Sequence, residues 1–254
     1  MSSPTLNLYT PAQVRELDRL AIDEHGVGGY TLMQRAARAA LQDLRRLWPG
    51  ATRLTIVCGP GNNGGDGFLL AALALEQGLR AQVVALTDQS SGDAAKAREA
   101  FVAAGGEIRQ AQTGQALQPA DVLVDALFGS GFDRAAEGLA AELIDGLNGV
   151  EAPVFAIDVP SGLQAETGRM LGRCVQADAT ICLVAWKQGL FTAQGADCCG
   201  QLSLARLDLP DALYDKVAAP ARLLRVECLP PRKHDSHKGR YGHVLVMGGD
   251  SGFG

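Results

Sequence analysis

The spacing of apolar positions changes once along the chain, near Arg53, and the change separates two kinds of structure. Thr10-Pro11 offers a helix cap with proline at the first helical position. Val14, Leu17, Ala21 and Ile22 then recur at helical spacing up to Gly26, which predicts a first helix. A second is predicted from about Thr31 to Leu47, with Leu32, Ala36, Ala40, Leu44 and Leu47 on one stripe. Beyond Arg53, Leu54–Cys58, Ala81–Leu86, Glu107–Arg109, Asp121–Leu127, Val154–Ile157, Thr180–Val184 and Leu202–Leu207 read as strands. Helical stretches at Gly67–Gly78, Asp93–Ala104 and Glu137–Leu147 alternate with them. Short apolar strands alternating with helices predict an α/β fold, a mostly parallel sheet covered on both faces and preceded by two helices.

The pattern fails near Val226. Pro230-Pro231 and the polar run Arg232–Lys238 carry no apolar period and read as a linker. Gly242–Met247 then starts a new strand that runs into a glycine-rich loop. A strand with no helix behind it cannot bury its faces. The expected organisation is therefore a domain over 1–226, a linker over 227–241, and the severed start of a second domain over 242–254.

Charge and composition narrow the function. Lys and Arg number 23 against 28 Asp and Glu, a net charge of −5, which argues against nucleic acid or an anionic membrane as partner. No run of about 18 apolar residues is present to span a bilayer. Arg15, Asp18, Arg19, Asp23 and Glu24 exclude a signal-peptide core near the N-terminus, so a cytoplasmic protein is expected. The six cysteines form no CxxC; Cys58 and Cys182 read as buried reduced thiols, and Cys198-Cys199 as inert loop residues.

In an open parallel sheet, ligands sit beyond the carboxyl ends of the strands, which directs attention to three loops. The first, Gly59-Pro60-Gly61-Asn62-Asn63-Gly64-Gly65-Asp66-Gly67, satisfies GxGxxG, and Asp88 lies 24 residues past Gly64, near where a ribose-binding acid is expected. A pyrophosphate wants bare amides at a helix start, whereas Asp66 puts a carboxylate there and Asn62-Asn63 fill the space with side-chain amides. That set suits hydroxyl and amide recognition, or a cation; its bland alternative is a turn with Asp66 as a helix N-cap. The second loop, Asp125–Phe132, starts with a carboxylate inside an apolar run, which needs a partner or serves to cap the turn. The third, Ile157–Leu163, places Asp158 at a strand end, either for acid–base work or as an ordinary turn residue. Ser161 has no GxSxG context, and His25 is the only histidine before the linker, so no Ser–His–Asp triad is expected. Asn63, Asp125 and Ser161 are hard oxygen donors from one sheet edge and suit a monovalent cation. Lys187, closing another strand on that edge, is open to three readings: a phosphate contact, a carboxylate partner, or a surface lysine.

Together the motifs GPGNNGGDG (59–67), DALFGSGF (125–132) and AIDVPSG (156–162) resemble the NAD(P)H-hydrate epimerases, the YjeF N-terminal family, and so does the opening LYTPAQVRELDRLAIDEHGV. The stretch HKGRYGHVLVMGGDSGFG (237–254) resembles the start of an ADP-dependent NAD(P)H-hydrate dehydratase, as in bacterial bifunctional enzymes. The resemblance implies a Rossmann-like three-layer αβα sandwich, commonly dimeric, that interconverts the R and S epimers of NADH or NADPH hydrated at nicotinamide C6 (NADHX, NADPHX). It implies a hydrate-binding cleft lined by Asn62, Asn63, Gly64, Gly65 and Asp66, by Gly129, Ser130, Gly131, Phe132, Asp133, Arg134 and Ala135, and by Asp158 as the catalytic group. It implies potassium held by Asn63, Asp125 and Ser161. The competing readings are an NAD-dependent oxidoreductase, resting on GxGxxG, and a non-catalytic nucleotide- or RNA-binding scaffold.

Overall fold

The computed structural model of the chain describes residues 6–224 together with residue 235. Contacts divide the chain into Met1–Leu223 and Leu224–Gly254; the linker and the strand expected at 242–247 lie outside the described residues.

The period change marks a real boundary. Strand β1 (Asn7–Tyr9) leads into α1 (Pro11–His25) and α2 (Gly29–Leu47). Thr10 caps α1, accepting from the Gln13 N–H while the Gln13 side chain accepts from the Thr10 N–H, and Pro11 occupies the first turn. Beyond them run β2 (Arg53–Cys58), α3 (Asn62–Glu76), β3 (Arg80–Ala85), α4 (Gly92–Ala103), β4 (Ile108–Gln110), β5 (Val122–Ala126), α5 (Gly138–Asn148), β6 (Val154–Ile157), β7 (Ala179–Leu183), β8 (Trp186–Lys187), α6 (Gly195–Cys198), β9 (Gln201–Ala205), α7 (Asp211–Tyr214) and β10 (Ala221–Arg222). Seven strands form one sheet in the order β4-β3-β2-β5-β6-β7-β9, each neighbouring pair parallel. The expected αβα arrangement is what forms.

Strand alternation builds the two faces. Leu54, Ile56 and Cys58 of β2, Val122, Val124 and Ala126 of β5, and Phe155 and Ile157 of β6 join the core beneath α1–α4. Val57, Leu123, Val154 and Ala156 face the other way, onto Leu143, Ile144 and Leu147 of α5.

The chain leaves β2 in one direction through β3 and β4, then returns to build β5 to β9 on the other side. The topological switch point therefore lies between β2 and β5, where the loops after Cys58 and Ala126 open a crevice.

Three sequence readings are corrected. Helix α3 begins at Asn62, five residues before the expected Gly67, so the glycine-rich motif is largely its first turns and Asp66 is inside the helix, not at its cap. Glycine's poor helix propensity hides that start from the pattern. Cys198 ends α6 and Cys199 follows it, both fully buried against Cys174 and Leu190, so they are core thiols and not loop residues. A three-stranded sheet, β10-β1-β8, was not predicted, because strands of two or three residues show no period; it pairs Tyr9 with Lys187.

Helix α3 reaches its position only because its glycines carry no Cβ. A Cβ on Gly64 would lie 1.9 Å from the Gly59 carbonyl oxygen. One on Gly67 would lie 2.6 Å from Ala126 Cβ and 2.9 Å from Cys58 Sγ. Gly67→Ala is therefore expected to destabilise the protein by about 1–3 kcal/mol through overpacking, despite alanine's better helix propensity. Urea denaturation midpoints would check this.

Candidate active site

Four segments converge at the crevice: the start of α3, the loop after β5, the turn after β6, and β8. Asp125, at the penultimate position of β5, is fully buried. It accepts from the Ser161 hydroxyl at 2.6 Å, the Ser161 N–H at 2.7 Å and the Leu127 N–H at 3.2 Å. All three donors are neutral. Burial raises its pKa to about 6, outweighing the hydrogen bonds from Ser161 and Leu127 that pull the other way. The Ser161 hydroxyl also accepts from the Phe128 N–H at 2.9 Å, so Ser161 ties the second loop to the third.

Asp158 follows β6 with φ +71°, a left-handed conformation that an L-residue adopts at a cost of order 1–3 kcal/mol. The turn aims its carboxylate back over the strand ends. One oxygen accepts from the Lys187 ammonium and, at 3.3 Å, from the Leu183 N–H; the other accepts from the Ser130 N–H at 3.1 Å. Lys187 is 1% exposed, and its ammonium also donates to the Leu183 carbonyl at 2.6 Å. Burial pulls the Lys187 pKa down, but the charge and hydrogen bond of Asp158, together with smaller contributions from Cys182 and Asp18, more than reverse this, so the ammonium stays charged. Among the three readings of Lys187, the carboxylate partner is the one formed.

Asn63 stands in the first turn of α3, buried, with both amide atoms lacking a hydrogen-bond partner. A Cβ built on Gly129 would touch both Asn63 and the Asp158 carboxylate, at 3.4 and 3.2 Å, so this backbone runs close between the two side chains. Asp66, one turn on, is buried and hydrogen-bonds to no described residue. Burial drives its pKa well above the carboxylate range, helped by the charges of Asp158 and Asp18 and opposed by Lys187. Burial therefore favours its neutral form.

The structure thus brings together Asn63, Gly64, Gly65, Asp66, Gly129, Ser130 and Asp158, with Asp125 and Ser161 bonded beside them. Asn62 is exposed at the helix start, and Gly131 on the loop. Phe132 stacks on Phe128, centroids 4.1 Å apart. Asp133, Arg134 and Ala135 stand exposed, without hydrogen bond or ion pair among the described residues. Periodicity does not flag Asp18 of α1, whose charge reaches this cluster; a carboxylate on a buried helical stripe was the available signal. Among the described residues no group of three or more His, Cys, Asp and Glu is set to hold a metal. A cation would instead meet the oxygen donors of Asn63, Asp125 and Ser161. The unpartnered Asn63 amide and the buried Asp125, with neutral donors only, fit such an ion.

Fold and site define the class: an open α/β protein with a carboxylate-rich cleft at its topological switch point. Residues 29–189 match the family described as YjeF-related protein N-terminus, and the chain belongs to that family. It is 42% identical over 253 residues to a bifunctional NAD(P)H-hydrate repair enzyme Nnr of Coxiella burnetii, covering 97% of this chain and 51% of that one. The enzyme of the same name from Escherichia coli is 39% identical over 246 residues, covering 94% and 47%. The chain therefore spans about half the length of these relatives. The crystal structure of yeast ynu0 superposes with a TM-score of 0.72 at 17% identity, over 88% of this chain and 97% of that one, and has the same fold. No described helix is long and apolar enough to cross a membrane.

Removing one partner of a buried ion pair strands the other charge. Lys187→Met is expected to cost about 3–5 kcal/mol, and adding Asp158→Asn to recover part of that loss. A double-mutant cycle of denaturation free energies would measure the coupling.

Proposed function

We propose that this chain is an NAD(P)H-hydrate epimerase, interconverting the R and S forms of NADHX and NADPHX. The observation that carries the reading is the Asp158 carboxylate, held at a strained strand end by the buried Lys187, in the same crevice as the buried Asp66, whose pKa burial raises. The family match and the repair-enzyme names of the relatives support it.

The substrate carbon is a hemiaminal carbon, bonded to the ring nitrogen and to a hydroxyl. Inversion there proceeds when the C6–O bond breaks with its electron pair going to oxygen. The leaving oxygen takes a proton and departs as water, and C6 with the ring nitrogen becomes an iminium cation. Water returning to the opposite face, with loss of a proton, gives the other epimer. Asp66 holds the proton the leaving oxygen needs, and the Asp158 carboxylate offers negative charge to the developing cation and accepts the proton from returning water. A buried carboxyl group whose neutral form is favoured, and a second one paired with an ammonium, suit this division of labour. Neither group requires a redox partner, which sets the reading apart from an oxidoreductase. The GxGxxG glycines meet the packing need of Gly64 against Gly59, which accounts for them without a pyrophosphate.

Asn63, Asp125 and Ser161 would hold a potassium ion. Bound there, the ion supplies a fixed positive charge to Asp125 and to the Asn63 amide oxygen. The three residues by themselves link the helix start to the second and third loops.

Two outcomes are expected. Asp158→Asn strands the buried Lys187 ammonium and is expected to lower stability by about 3–5 kcal/mol; assayed at a temperature where circular dichroism shows it folded, it loses at least about a hundredfold in epimerisation of purified R-NADHX, followed by chromatography, and unchanged turnover would remove Asp158 from the mechanism. Potassium raises the melting temperature more than lithium does at equal ionic strength, and Asn63→Ala abolishes the difference. An equal response to both ions would argue against a selective site.

A further inference from the structure

Helix α2 turns its apolar stripe to the core, and its flank carries a second pattern. Arg35, Arg38, Ala39, Gln42, Asp43 and Arg46 recur at spacings of three and four, which sets them along one side of the helix. That side overlooks β9, the outermost strand of the sheet, which pairs only with β7. Between helix and strand lies a groove of about 730 Å³. Its size falls within the range of small-molecule sites, roughly 300–1,000 Å³. None of the residues lining it belongs to the crevice described above.

Four arginines line this groove in a chain whose net charge is −5, and their partners leave donors over. Arg46 pairs with Asp43 at 2.6 Å, and Asp43 also accepts from the Ser203 hydroxyl, so that carboxylate is satisfied. Arg38 is exposed and makes no hydrogen bond or ion pair among the described residues. Arg35 donates one terminal N–H to the Leu207 carbonyl at 2.8 Å, and no described residue accepts from its other nitrogens. Arg206 pairs with Asp211 at 2.7 Å and lies over the Tyr214 ring, yet its Nε is buried without an acceptor. A buried donor left in that state is costly unless a ligand or a water answers it. Against these stands Asp208 on the rim, exposed and outside any ion pair among the described residues.

The groove also has an apolar floor and a strained wall. Ile181, Leu207 and Leu209 line it and are buried. Leu207 and Asp208 both take the left-handed backbone, with φ of +53° and +54°, although neither is glycine. Two such residues in succession are costly, and strain of this kind gathers where a ligand is clamped. The Leu209 N–H bound to the Arg206 carbonyl, and Arg35 bound to the Leu207 carbonyl, fix the turn. Arg35 and Arg206 are thereby held at the groove together.

We propose that the groove between α2 and β9 is a second binding site, for a small organic molecule carrying linked phosphate groups. Guanidinium groups meet phosphate through paired N–H donors, and Arg35, Arg38 and Arg206 each keep donors for it. Ile181, Leu207 and Leu209 receive the apolar or planar remainder of the molecule. The inference does not depend on the epimerase reading. The competing occupant is an acidic segment of another polypeptide, added along the edge of β9. Arg35 and Arg206 are gathered at the turn that follows β9 rather than along the strand, which favours the small molecule.

The test titrates the full chain with uridine diphosphate, inorganic diphosphate and inorganic phosphate by isothermal calorimetry. It is repeated on Arg38→Glu, and on Arg45→Ala, whose side chain on the same helix bonds to Gln77 outside the groove. Arg38 has no partner to lose, so Arg38→Glu is expected to fold as the parent does, which circular dichroism checks. One equivalent of uridine diphosphate is expected to bind, at least about tenfold more tightly than inorganic phosphate and more tightly than inorganic diphosphate. Arg38→Glu is expected to weaken it at least about tenfold, Arg45→Ala to leave it unchanged, and added NaCl to weaken it. Uridine diphosphate that binds no more tightly than phosphate, or whose binding survives Arg38→Glu, overturns the proposal. A polyglutamate peptide that binds through Arg38 when the diphosphates do not assigns the groove to an acidic chain and overturns it too. So does a dimer that sedimentation shows to be broken by Arg38→Glu, since the face then belongs to a second copy.

Discussion

A lysine ammonium with almost no solvent contact has to be matched by charge, and much of this site is arranged around that requirement. Taking Lys187 out of water costs several kcal/mol, which only well-placed acceptors return. Asp158 and the Leu183 carbonyl are those acceptors. The left-handed backbone of Asp158 is what turns its carboxylate toward the ammonium, and the same turn leaves its second oxygen toward Ser130 and the crevice. A strained residue persists only when its surroundings over-determine it. Here the Lys187 bond, the Leu183 and Ser130 amides and the β6–β7 ladder do so together.

That pair sorts the protonation states of the other carboxyl groups. One positive charge cannot serve Asp158, Asp66 and Asp18 equally. Asp158 bonds to it, while burial raises the pKa of Asp66 and of Asp18. Asp125 is separate. Its donors are neutral and tie the second and third loops together, and its charge is the one a cation would answer.

Close backbone approach makes this crowding possible. Gly64 against Gly59, and Gly129 between Asn63 and Asp158, each occupy space a Cβ would fill. The switch point supplies the crevice, and the glycines let a helix start, a strand-end loop and a turn enter it together.

The sequence by itself determined the fold class, the strand succession and the three loops, because apolar period is a local property that the sheet merely uses. It also determined which side chains enter the site from those loops, since Asn63, Asp66, Asp125, Asp158 and Ser161 all follow or end apolar strand runs. Only the tertiary structure decided the fate of Lys187. The sheet that brings Lys187 beside Tyr9 is made of strands two or three residues long, whose pairing is non-local and leaves no periodic trace. The early start of α3 was likewise hidden, because a glycine-rich turn becomes helix only when sheet packing and the Gly59 carbonyl hold it in place. Local patterning writes the scaffold, and contacts between elements distant in sequence set the charges within it.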